Sequence, residues 1–410
     1  MNKRLKEVLV HGGLFVVTFI TTTLAGSFWV NSRILLFTPY EWSDFMAGMQ
    51  YSVPFLLILT VHEFGHYFTA RYHKIKTSLP YYIPLPPLPG FIGTMGALIR
   101  IREFVKSKKQ NFDIGLSGPI AGFVIAIGVL VYGFTHLPEK DHIYEIHPEY
   151  APFGENYEEV VYVKDTFVLK NTVESMTGRD MSMYADTIRF NSPEQEGLSV
   201  QLGSNVIFWA FEKMLVDDPE KMPDSRELMH YPFLFAGFLA LLFTALNLLP
   251  VGQLDGGHVL YGLIGAKWHR IVAQIVFVGF VFYAGIGLIT PSSQVDPLFG
   301  LDQSTSFFLW MGLYVFFINL VFKGLKLNPV TTWMITLIVF TVQFTLPMVF
   351  PTIEGYSGWL LFAFIIGRFL GVYHPPVMVE EPLDKKRIIL GWIALIIFII
   401  SFSPAPIIMS

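Results

Sequence analysis

Nine stretches of this chain stay apolar for longer than an ordinary core helix needs. They lie near residues 9–30, 45–70, 113–134, 232–250, 270–290, 306–323, 330–350, 357–372 and 388–408. About 20 apolar residues in a helix cross the hydrocarbon of a bilayer. The pattern therefore predicts an all-α polytopic membrane protein with eight or nine transmembrane helices. The run at 357–372 is short and carries Arg368, so it reads as a span or as a re-entrant segment. The first run is too long for a signal peptide and no small-residue cleavage site follows it, so it reads as a retained helix.

Between 135 and 230 the pattern turns polar. "EEVVYVKDTFVLKN" and "MYADTIRFN" alternate with the period of strands, and "LGSNVIFWAFEKMLVDD" has apolar positions at helical spacing. A small β-rich lobe followed by an amphipathic helix on the membrane surface is expected there. The chain thus divides into an N-terminal transmembrane part (1–134), a polar acidic insertion (135–230), a second transmembrane part (231–290) and C-terminal helices (291–410). No internal repeat or low-complexity tract is visible.

Composition sharpens this reading. The chain has 410 residues, is 53% hydrophobic and 16% aromatic, and has a mean hydropathy of +0.51. It has no cysteine, so disulfides are excluded and a metal site must use His, Asp, Glu, Asn or water. Residues 71–112 hold eight Lys/Arg against one Glu, whereas 139–230 hold eight against nineteen Asp/Glu. By the positive-inside rule the first loop is cytoplasmic. Helix counting then puts the N-terminus inside and the acidic insertion outside. A bacterial cytoplasmic membrane is the expected location, the lipid bilayer the surroundings, and no nucleic-acid partner is expected.

One apolar run carries "LTVHEFGHYFTAR", residues 59–71. Each ionisable group at the centre of a span costs roughly 2.5–3.5 kcal/mol on insertion scales. On a helix, positions i and i+4 share a face, so His62 and His66 can hold one ion while Glu63 stands beside them as a general base. Zn2+ suits such ligands and needs no redox partner. A buried His–Glu cluster that only orients helices is the structural alternative.

Two imidazoles leave the ion short of a protein ligand. His73 is close, but the longer HExxHxxGxxH pattern would need Gly at 69 and His at 72, where Thr69 and Tyr72 stand. His73 instead sits among Arg71, Lys74 and Lys76 at the membrane boundary. "LNLLPVGQLDGGH" (246–258) offers a better ligand. There Asp255 closes an apolar run after Pro250, and Gly256 and Gly257 let the backbone turn and pack closely. The topology brings this end to the same membrane face as His62 and His66. A plain Asp-Gly turn between helices is the alternative. His258 lies near Asp255 without a spacing that demands a role. The remaining histidines (11, 136, 142, 147, 230, 269 and 374) read as interfacial or loop residues.

"HEFGH" followed by "NLLPVGQLDGG", with "GTMGALIRI", "FDIGLSGPIAGFVIA" and "HPP…PLDKKRIILGWIALIIF", resembles the site-2 protease family of intramembrane zinc metalloproteases, in its bacterial and plastid-type branch. The resemblance implies His62, His66 and Asp255 as zinc ligands, Glu63 as base, and Asn247 as a residue that holds substrate or polarises its carbonyl. It implies cleavage within or beside a transmembrane segment of a membrane protein, single-pass ones foremost. No PDZ module is recognisable in 135–230. A transporter or metal-binding membrane protein, or a non-proteolytic homologue, is the rival reading; no second copy of either motif supports a transporter's repeated halves. Finally, "FIGTMGALIRIREF" reads as a strand at the cytoplasmic membrane surface. Its edge near Gly96 and Ala97 is a candidate to bind an unwound substrate.

Overall fold

The computed structural model describes residues 3–35, 37–162 and 200–409. Each of the nine apolar runs is helical: α1 (Lys3–Asn31), α2 (Trp42–Tyr72), α3 (Lys108–Thr135), α7 (Pro232–Leu248), α8 (Asp255–Ala284), α9 (Gln303–Phe322), α10 (Pro329–Val349), α11 (Trp359–Ile365) with a π turn to Leu370, and α12 (Lys385–Ser401). Among the described residues, three further short α-helices belong to the insertion: α4 (His142–Ile146), α5 (Glu158–Val161) and α6 (Val206–Leu215).

Among the described residues, six helices are long and apolar enough to cross a membrane, which does not confirm the expected eight or nine. They are α1, α2, α3, α8, α9 (extended to Leu325) and α10. The shortfall has local causes. Pro250 and the turn after Leu248 stop α7 at 17 residues, about 25 Å of helix. The π turn ends at Gly371, whose φ of 83° no helix continues. α12 stops at Ser401, and the last apolar residues form strand β4 (Ile407–Met409), paired with β3 (Val200–Leu202). The outward faces carry large apolar residues such as Leu57, Phe68, Phe308, Phe316, Leu337 and Ile338, as a lipid-facing surface requires.

α7 is buried almost all round, packed among α2, α3, α8 and α12. This suits its uniformly apolar sequence, which has no polar face to offer solvent. In the insertion, α6 forms as the sequence predicts, capped by Asn205 Oδ1 accepting from the Phe208 amide at 3.0 Å. The expected strand at 158–171 starts instead as α5, where Tyr150 and Tyr157 stack with ring centroids 5.1 Å apart. The rest of that strand, and the one expected at 183–191, lie outside the described residues.

Strands β1 (Tyr81–Pro84) and β2 (Thr94–Leu98) form an antiparallel hairpin with Tyr82 opposite Ala97. It packs against α1 and α2. The polypeptide of this hairpin runs along α1 from His11, whose Nδ1 donates to the Pro80 carbonyl at 2.9 Å, to Trp29, whose indole donates to the Phe91 carbonyl at 2.9 Å. Those anchors are roughly 27 Å apart along the helix. Between them Thr21 Oγ1 donates to the Gly93 carbonyl at 2.7 Å, and the Tyr51 hydroxyl to the Ile92 carbonyl at 3.3 Å. Non-helical backbone survives at membrane depth only when protein satisfies its polar groups, and α1 and α2 do so here.

Close packing of α3 on α2 positions the histidines of the HEFGH motif. Gly115, Gly118 and Gly122 line one face of α3. A Cβ on Gly118 would lie 2.1 Å from His66 Nε2, and one on Gly122 would lie 3.0 Å from His62 Cβ. The two imidazoles therefore rest on a ledge that exists only because α3 is bare there. Gly118→Ala should displace the His66 ring while leaving helix content unchanged. Overpacking of this kind costs about 1–3 kcal/mol, so the melting temperature should fall, which a circular dichroism melt checks.

Candidate active site

His62, Glu63 and His66 project from α2 and are buried, with exposures of 6%, 5% and 6%. The His66 Nδ1–H donates to the Ile114 carbonyl at 2.7 Å. The same carbonyl accepts from the Ser117 hydroxyl at 2.9 Å. A carbonyl can only accept, so the proton sits on Nδ1 and the Nε2 lone pair is free. Nε2 of His66 faces Nε2 of His62 at 3.1 Å.

Asp255 arrives from far along the chain. α7 ends at Leu248, the backbone reverses through 249–254, and Asp255 opens α8 rather than closing the preceding run. The turning residue is Gly252, with φ of 62°, and its amide donates to the Val372 carbonyl at 2.9 Å. Gly256 and Gly257 are helical. Their role is close approach, since a Cβ on Gly256 would lie 1.9 Å from the Leu248 carbonyl oxygen. At the first position of α8 the helix's partial positive charge favours a carboxylate. Asp255 Oδ2 stands 3.2 Å from His66 Nε2 and 3.5 Å from His62 Nε2.

These three donor atoms suit a metal ion. A tetrahedral zinc with bonds of about 2.0–2.1 Å holds its ligand atoms about 3.3 Å apart, and the separations here are 3.1, 3.2 and 3.5 Å. The second-nitrogen bond of His66 to a backbone carbonyl is the support that metal-bound histidines ordinarily have. Glu63 is not a fourth member of this triangle: its Oε1 is 3.9 Å from His62 Nε2. It lines the same cavity of about 290 Å3, with Ala97, Leu98 and Ile99 on one wall and Asn247, Gln253 and His258 on another. The Asn247 amide nitrogen is 3.5 Å from His62 Nε2. Gly96 borders a small apolar recess next to it, shared with His62, Thr244 and Asn247.

His73 lies elsewhere. Its Nε2 is 2.8 Å from Asp113, which Arg387 also grips through Nε and Nη2 at 2.7 Å each. This tie joins the ends of α2, α3 and α12. Several histidines that read from sequence as loop residues are buried: His11, His230, His269 and His374. His374 Nε2 is 2.7 Å from Nδ1 of His258, and so supports the cavity wall from behind. Its position 116 residues from His258 gives no local signal. The α3 glycine ledge escapes sequence reasoning as a device, although its spacing of three and four residues along one helix face is there to read.

The profile of peptidase family M50 matches residues 50–290, which contain both motifs. Among curated proteins, the chain is 24% identical over 249 residues to "Probable zinc metalloprotease EGY1, chloroplastic" of Arabidopsis thaliana, covering 61% of this chain and 34% of that protein. It is 26% identical over 210 residues to the protein of that name from Oryza sativa subsp. japonica, covering 51% and 27%. It is 23% identical over 292 residues to "Probable zinc metalloprotease EGY3, chloroplastic" of Oryza sativa subsp. indica, covering 71% and 41%. The chain thus spans less than half the length of these relatives. They are chloroplastic and lend no support to a bacterial inner membrane. No solved structure matches the chain significantly. With more than half of its length under one profile, and with both motifs of that region meeting at one cavity, the chain belongs to peptidase family M50.

Proposed function

We propose that the chain is an intramembrane zinc metalloendopeptidase that hydrolyses a peptide bond within or next to a transmembrane segment of a membrane protein. The observation that carries this reading is the triangle of His62, His66 and Asp255 beside a separate carboxylate, Glu63, inside one cavity. A bound zinc ion supplies Lewis acidity toward the scissile carbonyl and toward water.

The chain's own residues supply the rest. Glu63 Oε1, 3.9 Å from His62 Nε2, is close enough to take a proton from a water in the cavity and to return it to the leaving amine. Asn247, at the closing turn of α7, places an amide donor where a substrate carbonyl would lie. β2 presents Ala97 and Leu98 to the cavity, so an extended substrate can lie along that wall and regain backbone hydrogen bonds lost on leaving its helix. Single-pass proteins present one helix free to unwind in this way. The N-terminus on the cytoplasmic or equivalent side, and the 135–230 insertion on the other, belong to the same reading.

Glu63→Gln should retain zinc while cleavage of a single-pass substrate by purified protein falls about 10²–10⁴-fold; metal analysis and a gel-based cleavage assay check both halves. Asp255→Ala should lower zinc affinity at least about ten-fold along with activity, whereas His73→Ala should keep its zinc. Zinc retained in the first and lost in the second would reverse the assignment. Ala97→Pro, checked for unchanged folding and zinc content, should slow cleavage of a helical substrate; cleavage at the wild-type rate would remove the Ala97 edge from substrate binding.

A further inference from the structure

A second cluster brings two imidazoles and a carboxylate together at the opposite end of α7. His147 follows α4, while Glu227 and His230 lie in the turn that leads into α7. His147 Nε2 faces His230 Nε2 at 3.3 Å, and Glu227 Oε2 is 3.4 Å from His230 Nε2. These separations match the ~3.3 Å edge of a tetrahedral zinc site. All three ligand atoms lie within 4.8 Å of one another. About 25 Å of helix separates this cluster from Asn247, so it is no part of the catalytic cavity.

The hydrogen-bond pattern carries the argument. The His230 Nδ1–H donates to the Val30 carbonyl at 2.9 Å, and the His147 Nδ1–H donates to Glu149 Oε1 at 3.0 Å. A carbonyl and a carboxylate only accept, so both ring protons sit on Nδ1. The two Nε2 lone pairs then point at each other, and a cation between them resolves the repulsion. A divalent ion between them uses both lone pairs and is neutralised in part by the Glu227 carboxylate beside His230. The Tyr162 hydroxyl donates to Glu227 Oε1, which leaves Oε2 turned toward His230.

We propose that His147, Glu227 and His230 form a second zinc site that clamps the start of the insertion onto its end, beside α1 and the start of α7. Its role is structural. The ligands come from two segments, His147 and His230 being 83 residues apart, and the Val30 carbonyl brings the end of α1 into the same tie.

The test is metal stoichiometry on tag-free, full-length protein in detergent, equilibrated with zinc and freed of excess. Wild type should carry two zinc ions per chain. His147→Ala should carry one and retain proteolysis, with a lower melting temperature than the wild type. His62→Ala with His66→Ala should also carry one, and adding His147→Ala to that pair should remove it. His147 is only partly buried, so its replacement spares the buried His230 and its bond to Val30. A single wild-type zinc that disappears with His147→Ala would support this site and count against the catalytic one. A zinc content unchanged by His147→Ala would overturn the proposal and leave a proton-bridged histidine pair.

Discussion

Two imidazole nitrogens that face each other beside a carboxylate, inside an apolar bundle, call for a cation between them, and much of this structure serves that arrangement at His62 and His66. Each element around them answers one part of the problem. The Ile114 carbonyl fixes the tautomer of His66, Asp255 adds a negative charge to the same point, and α3 gives up side chains so that the rings fit. Charged groups at membrane depth are tolerated where they pair or coordinate. The bare glycine face of α3 is therefore as much a part of the site as the donor atoms, because a single methyl group on Gly118 would occupy the place of the His66 ring.

The second constraint is chain reversal within a tightly packed bundle. Between α7 and α8 the backbone turns through six residues at the cavity, and its polar groups find partners in the turn itself and at Val372. Gly252 supplies the left-handed conformation. The short length of α7 is a consequence: the helix ends where Asn247 and Asp255 must both reach the cavity. A full-length span would carry one of them past it.

The β1–β2 hairpin solves the same problem differently. It is laid along α1 and α2, with the carbonyls of its connecting loop taken up by Thr21, Trp29 and Tyr51. This leaves the Ala97 and Leu98 stretch against the cavity, where an extended chain could lie alongside it. The hairpin's contacts with α1 and α2 are not legible in its alternating sequence. Alternation reports which side chains share a face, and says nothing about which helices stand beside them.

Local spacing and hydropathy by themselves determined the helical, membrane-embedded character of the chain, the shared face of His62, Glu63 and His66, and the break around Pro250. Each depends on the backbone within one or two turns. Tertiary packing decided the rest. Which helices are long enough to cross depends on how the backbone reverses at Leu248 and Gly371, and the hydropathy pattern overruns both. That Asp255 opens a helix, that Gly118 is a ledge for His66, and that His374 supports His258 depend on contacts between segments far apart in sequence. The cluster of His147, Glu227 and His230 shows the limit most clearly. No periodicity connects its members, and they meet only because the insertion folds back onto the entrance of α7.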